Sequence, residues 1–440
     1  MDHSSVNFMP DAHFNSSADD GAAPVGQTAY EAGGKQGSKR VCMLVYTFYE
    51  SDNRVLRYAR ALVERGDQVD IIALANGKEQ PSFDVLDGVN VYRVQRRVRD
   101  EKNKYSYLWR LINFCIKSCI CLCRLQFKHR YDVVHVHNVP DFLVFSAWLP
   151  KLAGAKIILD IHDILPEFFA NKFRRPDTGG YVRMLRGIEW ISARFANHVI
   201  ISNHLWQEKI TRRSVPREKC SVFINYVDQA IFNCRRTRND GRFVVLYHGG
   251  LQRHQGLDIA IRAFGRIQGQ VSGAEFHIYG GGNMKPEVEG LIQELGLKNK
   301  VLLFDPKPMR EIAQIVANAD LGVVAKRADS FGNEAYSTKI MEFMAEGVPV
   351  IVSRTKVDSF YFNDSIVQFF ESGNDLELAN AMLCLMKDVG SREQLARNAH
   401  EFVARNNWDV KKHEYLRLVD TLCASSAVQA GLAETSTAQQ

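Results

Sequence analysis

The feature that most constrains the fold is a regular alternation of apolar runs with helical segments. Residues 39–48 form an apolar run rich in β-formers, residues 53–66 carry apolar side chains at helical spacing up to a glycine, and residues 69–75 are apolar again. A strand, a helix and a second strand in this order predict a parallel sheet covered by helices. Because the alternation continues to the apolar run at 198–202, residues 39–232 are predicted to form one doubly wound domain.

The alternation stops in the polar, charged segment 233–242, which is interpreted as a linker, and restarts at Phe243. Residues 243–410 are predicted to form a second doubly wound domain, followed by a C-terminal helix over 411–424. Open α/β sheets bind ligands at the carboxyl ends of their strands. The predicted fold class is therefore α/β, with two Rossmann-like domains facing each other across a cleft that holds the active site.

The two ends of the chain differ from this pattern. Residues 1–38 and 425–440 are poor in large apolar side chains, which predicts disorder. The first 38 residues lack the apolar core of a secretory signal, and the nine cysteines show no metal-ligand spacing, so reduced thiols and a cytoplasmic location are expected. A net charge of +6 is too small to indicate a nucleic-acid partner.

Two carboxylates stand eight positions apart in the stretch FGNEAYSTKIMEFMAEGVPVIVSR. Ser337 or Thr338 is predicted to cap a helix that contains Glu342, with Glu334 on the loop before it. The free N–H groups at the start of such a helix favour an anion such as a diphosphate. Carboxylates accept hydrogen bonds from sugar and ribose hydroxyls, so the pair is predicted to bracket a phosphate site.

Two other interpretations of this pair stay open at the level of the residues. On one continuous helix the two acids would be about 12 Å apart, whereas the carboxylates of glycosidases stand roughly 5 to 9.5 Å apart. Hydrolysis is therefore disfavoured, although a bent entry loop would permit it. Acids on a solvated helix face are the other alternative.

With these residues in view, the chain resembles the retaining, GT-B-fold glycosyltransferases of family 4, also called the group 1 family. Glu334 and Glu342 match the family's Glu-x7-Glu motif, and MAEGVPVIVS follows it. The segments YESDNRVLRYARALVERGDQVDIIAL, YDVVHVHN, LDIHDILPE and VFINYVD occur in the family's order, and the resemblance covers most of the chain. It implies that Glu334 contacts the hydroxyls of the donor sugar and that Glu342 binds the ribose of the nucleotide.

The resemblance also places the donor diphosphate. It implies that the backbone amides of Ser337 and Thr338 bind this group. In the loop YHGGLQRHQG, Gly249 and Gly250 would let the backbone pass close to phosphate.

The cation that neutralises the leaving diphosphate is less obvious. Many relatives have Arg directly after the first glycine of that loop and Lys directly before the last, and Gly250 and Gln255 hold these positions here. Arg253 is the expected substitute, with His254 and Lys339 as lesser candidates.

A second glycine run, YGGGNM, follows a predicted strand. Its glycines resemble half of a dinucleotide fingerprint, but Lys285 stands where GxGxxG requires glycine, so a dehydrogenase is not expected. Gly280 and Gly281 are instead predicted, by resemblance, to form a turn on the nucleotide side of the cleft.

The acceptor side is predicted at the strand ends of the first domain. His162 follows an apolar strand in LDIHD and can face the cleft. The resemblance implies that His162 contacts the transferred sugar near the reacting carbon. Its neighbour Asp163, together with His137, Asn138 and Asp141 after the preceding strand, is expected to line the acceptor pocket.

Neither a metal nor another cofactor is expected. His135 and His137 project from the same strand face, but no acid or cysteine is paired with them by spacing, and the resemblance implies no metal requirement. No nucleophile is evident in the sequence. The resemblance implies front-face return, in which an oxygen of the donor phosphate takes the acceptor's proton.

Positive charge is concentrated in residues 93–130, where eleven Lys or Arg face two acids. Arg110, Lys117 and Arg124 recur every seven residues on a segment that is otherwise mostly apolar. The uncharged runs are too short to span a bilayer, which requires about 20 apolar residues. The segment is either a membrane-docking helix or a sheet-covering helix with a solvated stripe.

The favoured function is a retaining transfer of a sugar from a nucleotide-sugar donor to a glycan or lipid-linked acceptor, in cell-surface polysaccharide or oligosaccharide synthesis. The expected location is cytoplasmic, either free or peripheral on the inner face of the membrane. A nucleotide-sugar epimerase of similar fold and a non-catalytic sugar-nucleotide-binding subunit are the alternatives.

Overall fold

The computed structural model describes residues 38–77, 80–97, 104–172 and 179–437, with the backbone alone at 104–105, 171–172 and 425–437. The disorder predicted for residues 1–38 lies almost wholly outside these ranges and stays a prediction.

A sheet of eight strands organises the first half of the chain. Its strands are β1 (Arg40–Val45), β2 (Gln68–Ala75), β3 (Phe83–Leu86), β4 (Val89–Arg96), β5 (Val133–His137), β6 (Lys156–Ile161), β7 (His198–Ile201) and β8 (Cys220–Val222). They lie in the order β3-β4-β2-β1-β5-β6-β7-β8, and all neighbours are parallel except β3 and β4. The strand order reverses between β1 and β5, which places a ligand-binding crevice at their carboxyl ends. β3 and β8 were not predicted, because each is short and has a polar residue, Asp84 or Ser221, between its apolar residues.

Helices cover both faces of this sheet. They are α1 (Asn53–Arg65), α2 (Lys104–Lys128), α3 (Trp148–Leu152), α4 (Leu165–Lys172), α5 (Gly180–Phe195) and α6 (His204–Thr211). α1 packs on one face, whereas α2, α5 and a 3-10 helix over Asp141–Ala147 pack on the other. The apolar segment 142–154, FLVFSAWLPKLAG, is helix-like in sequence. The α-helix begins only at Trp148, because Pro150 has no N–H to donate to the carbonyl four residues earlier.

A second sheet, of six parallel strands, follows. Its elements are β9 (Phe243–His248), α7 (Leu257–Ile267), β10 (Ala274–Tyr279), α8 (Lys285–Glu294), β11 (Val301–Phe304), α9 (Met309–Ala317), β12 (Leu321–Val324), α10 (Thr338–Ala345), β13 (Val350–Arg354), α11 (Lys356–Tyr361), β14 (Gln368–Glu371), α12 (Asp375–Lys387) and α13 (Val389–Arg405). The order β11-β10-β9-β12-β13-β14 reverses between β9 and β12. The fold class predicted from the alternation is confirmed: two Rossmann-like domains, each with a parallel sheet.

The segment interpreted as a linker, 233–242, has no regular secondary structure and is held against the second domain. The Cys234 amide donates to Glu346 Oε2 at 2.9 Å, and the Thr237 amide donates to Asn318 Oδ1 at 2.7 Å. These bonds fix the path of the chain between the two sheets.

The last helix, α14 (Trp408–Thr437), returns to the first domain. Tyr415 is fully buried there, and Asp420 forms ion pairs with Lys39 at 2.6 Å and with Arg65 at 2.9 Å. The helix begins three residues before the predicted bound of 411 and continues through the tail predicted to be disordered from 425. That tail is poor in large apolar side chains but rich in alanine, which has the highest helix propensity.

Candidate active site

The helix that follows the first glutamate begins with an uncapped N-terminus. Ser337 precedes α10 with extended backbone angles, but its side chain makes no capping hydrogen bond. The Ser337 hydroxyl is buried and has no hydrogen-bond partner among the described residues. The predicted helix start is therefore right and the predicted side-chain cap is wrong. A buried polar group without a partner costs about 1–3 kcal/mol, and an anion at this helix end would satisfy it.

Two glycine turns approach each other beside this helix. Gly249 follows β9 with a φ of +116°, and a Cβ there would lie 2.5 Å from Lys339 Cε. Gly280 follows β10, and a Cβ there would lie 2.0 Å from the carbonyl oxygen of Gly249. At Gly280 a side chain would push the two turns apart, and at Gly249 it would be strained by the positive φ and would displace the side chain of Lys339. Gly250 and Gly281, the other predicted glycines, belong to the same two turns.

Lys339 places a positive charge beside the turn at Gly249. Its Nζ donates a hydrogen bond to Gln255 Oε1 at 3.1 Å and lies 5.6 Å from the centroid of the Tyr247 ring. Burial lowers the pKa of Lys339 to about 8, and the nearby carboxylate of Glu342 offsets part of this effect. The ammonium group thus sits between the start of α10 and the glycine loop.

The other two candidate cations are placed less favourably. Arg253 is exposed, at the start of a single 3-10 turn over Arg253–Gln255. The His254 ring packs against Phe331 with centroids 5.4 Å apart, and burial lowers its pKa to about 4, so the ring is neutral at pH 7. The geometry therefore favours Lys339 over Arg253, the residue expected from the sequence.

Glu342 lies one turn inside α10 and is 8% exposed. Its Oε2 is 3.4 Å from His248 Nε2, an atom with no hydrogen-bond partner among the described residues. Burial raises the pKa of Glu342 and lowers the pKa of His248 to about 3. A buried acid beside a neutral, unsatisfied imidazole leaves both a donor and an acceptor available to a hydroxylated ligand.

Glu334 connects the two domains. It lies on the turn before α10, and its Oε2 is 2.5 Å from Nζ of Lys209 on α6 of the first domain. Asn203 Nδ2 donates to the Glu334 carbonyl oxygen at 3.0 Å. Both the side chain and the backbone of this glutamate are therefore fixed by the opposite domain.

His162 follows β6 at the edge of the first domain that faces this region, and its side chain is 21% exposed. Its backbone N–H donates to Asn138 Oδ1 at 2.8 Å. Asn138 Nδ2 donates to the Asp163 carbonyl oxygen and to Asp141 Oδ1, both at 2.9 Å. Asn138 thus fixes the turn that presents His162, while burial raises the pKa of Asp163.

A buried ion pair lies beneath His162. Arg54 donates through Nε and Nη2 to the two oxygens of Asp160, each at 2.8 Å. Oδ2 of Asp160 is also 3.3 Å from His162 Nε2 and 3.3 Å from His137 Nδ1. Burial opposes ionisation of Asp160, but Arg54 and His162 outweigh it and hold its pKa well below the usual range. The carboxylate therefore orients the imidazole of His162.

Two predicted acceptor residues are too deeply buried for that role. His137 is 0% exposed and Asp141 is 1% exposed. Helices cover both faces of the sheet at β5, so these side chains point into packed layers and form the floor beneath the turn at His162. Without direct solvation, the pKa of Asp141 rises to about 7.

The two histidines of β5 do have an acidic neighbour. Potential ligand atoms of His135, His137 and Asp160 lie within 4.8 Å of one another. The sequence did not pair them because Asp160 is 23 positions from His137, although the two are register partners on adjacent strands. Arg54 already occupies both oxygens of Asp160, which places a cation where a metal would have to bind.

Three residues of the candidate site were not singled out in the sequence. Arg54, Lys209 and His248 belong to an ordinary amphipathic helix, a short helix and a strand end, respectively. Their roles arise from contacts between distant segments. Polar residues at the carboxyl ends of strands are the one general signal that would have drawn attention to His248.

Comparison with known proteins places this geometry in a family. The model of the glycosyl transferases group 1 family matches residues 231–402, and the model of the glycosyl transferase 4-like domain matches residues 51–225. The chain belongs to the group 1 glycosyltransferases. Each of the two matches covers one of the two Rossmann-like domains.

Relatives agree with this membership. An uncharacterized glycosyltransferase, MJ1607 of Methanocaldococcus jannaschii, is 25% identical over 371 residues, which cover 80% of this chain and 89% of the relative. The putative colanic acid biosynthesis glycosyltransferase WcaL of Escherichia coli is 24% identical over 331 residues, 68% of this chain and 79% of the relative. Among solved structures, Anabaena HepE in complex with UDP and glucose matches this glycosyltransferase with a TM-score of 0.66 and 18% identity, covering 87% of this chain and all of HepE. The fold is GT-B.

Within the described residues, this glycosyltransferase contains no helix with the length and apolar character needed to cross a bilayer.

Replacing Arg54 by Met is expected to destabilise the glycosyltransferase by about 3–5 kcal/mol at pH 7, because Asp160 is left buried and unpaired. The depressed pKa of Asp160 contributes stability above the unfolded pKa of about 4. In the variant this contribution is lost. The difference in free energy of unfolding between the wild type and the variant therefore shrinks as the pH falls and Asp160 takes up a proton. Urea denaturation at several pH values measures both effects.

Arg60→Met is the matched control. Arg60 lies on the same helix and pairs with Asp228 at 3.4 Å, but its side chain is 38% exposed. Its loss is expected to cost at most about 1 kcal/mol. Equal losses in the two variants would contradict the role given to the buried pair, whereas the double variant R54M/D160N should recover part of the R54M deficit.

Proposed function

We propose that this glycosyltransferase moves a sugar from a nucleotide diphosphate sugar to an acceptor hydroxyl with retention of anomeric configuration. The observation that carries the proposal is the uncapped start of α10, with a lysine beside it and a carboxylate on either side along the chain. This end of the helix offers hydrogen-bond donors and positive charge to a diphosphate, and acceptors to the hydroxyls attached to it.

In this proposal the diphosphate accepts hydrogen bonds from the N–H groups of Ser337 and Thr338 and from the Ser337 hydroxyl. Lys339 supplies the cation. Its hydrogen bond to Gln255 brings the ammonium group to the position where the resemblance expected a lysine. In this proposal the positive charge that many relatives carry on the glycine loop comes from α10 instead. Arg253 then does not neutralise the leaving diphosphate.

The two glutamates and His162 would then hold the carbohydrate. Glu342, beside the neutral His248, accepts hydrogen bonds from the ribose hydroxyls. Glu334 accepts from the hydroxyls of the donor sugar, while Lys209 holds its second oxygen or exchanges with the sugar. His162, oriented by Asp160, faces the transferred sugar from the opposite domain.

Retention follows in this proposal from front-face return. The bond between the anomeric carbon and the diphosphate oxygen breaks, and the acceptor oxygen bonds to the same face of that carbon. The acceptor's proton passes to the departing diphosphate, which Lys339 and the helix N-terminus stabilise as negative charge develops. No metal takes part in the proposed reaction.

The names of two matched proteins support a biological setting. HepE was solved with UDP and glucose, which makes UDP-sugars the first donors to test. WcaL is named for colanic acid biosynthesis, which supports an acceptor in polysaccharide assembly. We place this assembly in cell-surface polysaccharide synthesis, with transfer on the cytoplasmic side of the membrane.

The outer face of α2 supports peripheral binding to such a membrane. Leu108, Ile112, Ile116 and Ile120 recur every four residues and are 37% to 50% exposed. Lys117 lies next to this apolar row and is exposed. An apolar helix face bordered by cations suits the interface of an anionic bilayer. The interpretation of α2 as a helix with only a solvated cationic stripe does not account for this row.

The exposed apolar surface extends beyond α2. On α3, Trp148 is 45% exposed and Leu152 is 77% exposed. On α5, Tyr181 and Met184 are exposed as well. Both helices lie on the same side of the first sheet as α2. Burial of this surface in a lipid interface would remove apolar area from water.

Lys339→Met is expected to weaken UDP binding at least roughly tenfold, since a charge-assisted contact is lost. In the wild type, UDP affinity should fall as the pH rises through about 8, where free Lys339 loses its proton. Lys339→Arg should abolish this pH dependence because arginine keeps its charge. Isothermal titration calorimetry across this range measures both.

Arg253→Met is the control and should bind UDP as the wild type does. Loss of affinity in this variant, with none in Lys339→Met, would return the role to Arg253.

The stereochemical outcome is the second test. With an α-linked UDP-sugar donor, NMR of the first product should show an α-linkage, and Glu334→Gln should turn over at least roughly a hundredfold more slowly while its free energy of unfolding stays close to that of the wild type. A β-linked product would contradict front-face return.

Membrane binding is the third test. Exposed isoleucines that enter the interface contribute apolar burial, so Ile116→Glu combined with Ile120→Glu should reduce co-sedimentation with phosphatidylglycerol-containing vesicles at least roughly tenfold. Val389→Glu, at an exposed valine of the second domain, is the matched control. Binding that is equal in the two variants would remove α2 from the interface.

A further inference from the structure

A cationic cavity opens beside the apolar face of α2. Its volume is about 590 Å³, and it lies between the ends of β2 and β4 and the first turns of α2. Four of its lining residues are cations, Arg93, Arg96, Arg110 and Lys117, and no carboxylate occurs among the lining residues that the structure describes. A cavity with this lining attracts an anion.

The walls of the cavity are held in place by contacts of their own. Arg93 binds Glu50 and donates to the Pro81 carbonyl oxygen at 3.1 Å, so it belongs to the rigid base of the cavity. Gln95 Nε2 donates to the Arg110 carbonyl oxygen at 3.2 Å and ties the end of β4 to α2. Ser106 and Asn113 add neutral hydrogen-bonding groups to the lining. Guanidinium groups and neutral donors are the groups that phosphate oxygens prefer.

The cavity lies on the acceptor side of the molecule. It is at the carboxyl edge of the first sheet, the edge that also presents His162 after β6. β1 and β5 separate β2 from β6 in the sheet. Three strand spacings separate β2 from β6 and four separate β4 from it, so the cavity lies roughly 14–19 Å across the sheet from the strand that carries His162. The proposed donor diphosphate binds to α10 in the other domain, so the cavity is a second anion site.

The helix that lines the cavity also carries the exposed apolar row. Trp109, 65% exposed, belongs to the cavity lining, and Ile112 and Ile116 continue outward along the same helix. A ligand with a phosphate in the cavity would thus have an apolar surface immediately beside it. A free sugar phosphate would leave this surface unused, whereas a phosphate attached to a hydrocarbon chain would cover it.

We propose that this cavity binds the phosphate or diphosphate of a lipid-linked acceptor, whose hydrocarbon chain lies along the apolar row of α2. The inference rests on the proposed glycosyl transfer and names the class of its acceptor. The phosphate anchors the acceptor at a fixed distance from His162. The number of sugar units between this phosphate and the end of the glycan therefore determines which acceptor sugar reaches the donor. No covalent step occurs in the cavity.

Farnesyl diphosphate is a suitable probe because it combines a diphosphate with a short hydrocarbon chain. The full chain, saturated with UDP to fill the donor site, is titrated with farnesyl diphosphate, inorganic pyrophosphate and farnesol. Farnesyl diphosphate is expected to bind at least roughly tenfold more tightly than either of the other two. Arg110→Gln combined with Lys117→Gln should lose at least roughly tenfold of this affinity.

Arg124→Gln is the matched control. Arg124 continues the same cationic stripe one heptad further along α2 but is not part of the cavity lining, and it should bind farnesyl diphosphate as the wild type does. These residues are at least partly exposed, so their replacement should leave the fold intact, as unfolding curves will verify.

The outcomes separate the possible sources of binding. An equal loss of affinity for farnesyl diphosphate in the R124Q variant would show general attraction to the cationic stripe, and would overturn the proposed site in the cavity. Pyrophosphate binding as tight as that of farnesyl diphosphate would show a site for free anions, and equal binding of farnesol would show an apolar surface alone; each overturns the proposal. Failure of farnesyl diphosphate to bind, with UDP binding intact, overturns the acceptor site and leaves the glycosyl transfer standing, whereas failure of UDP to bind would count against the transfer itself.

Discussion

The proposed chemistry depends on one physical feature, the uncapped polar start of helix α10. Its first N–H groups and the Ser337 hydroxyl are not satisfied by a side-chain cap. The glycine turn at Gly249 leaves room for Lys339 to lie beside them, because a Cβ there would collide with the lysine. Hydrogen-bond donors and a positive charge are thus grouped at the start of α10, and some of these donors have no partner among the described residues. Such a preorganised site stabilises a leaving diphosphate without rearrangement during the reaction.

The second domain alone does not complete the site. Glu334 is held through its side chain by Lys209 and through its carbonyl by Asn203, and both partners belong to the first domain. The orientation of the donor-side acid therefore depends on the contact between domains. On the first domain, Asp160 and Arg54 similarly fix His162 from below. Motion of one domain against the other would therefore change the orientation of Glu334 and its distance from His162 at the same time.

The sequence predicted the scaffold better than the side-chain contacts. Apolar runs alternating with helical periodicity are local signals, and they identified the main strands of both sheets and the helix after Glu334. The edge strand β3 was not recognised because Asp84 interrupts its few apolar residues. Burial is a property of the folded layers, so His137 and Asp141 were expected in a pocket although they lie beneath it.

Charge placement also depended on tertiary structure. Arg253 stood within the expected loop and was preferred on that ground, but it is exposed, whereas Lys339 reaches Gln255 from a helix 84 positions away. The pairing of Arg54 with Asp160 joins residues 106 positions apart. No spacing rule within one sequence reports such contacts, because they follow from how the sheets order their strands.

A crystal structure of the chain with UDP would test the central claim most directly. The β-phosphate is expected at the start of α10, with its oxygens within about 3.2 Å of the Ser337 or Thr338 backbone nitrogen and of Lys339 Nζ, and with the ribose hydroxyls on Glu342. A diphosphate bound elsewhere, with α10 facing only water, would contradict the account.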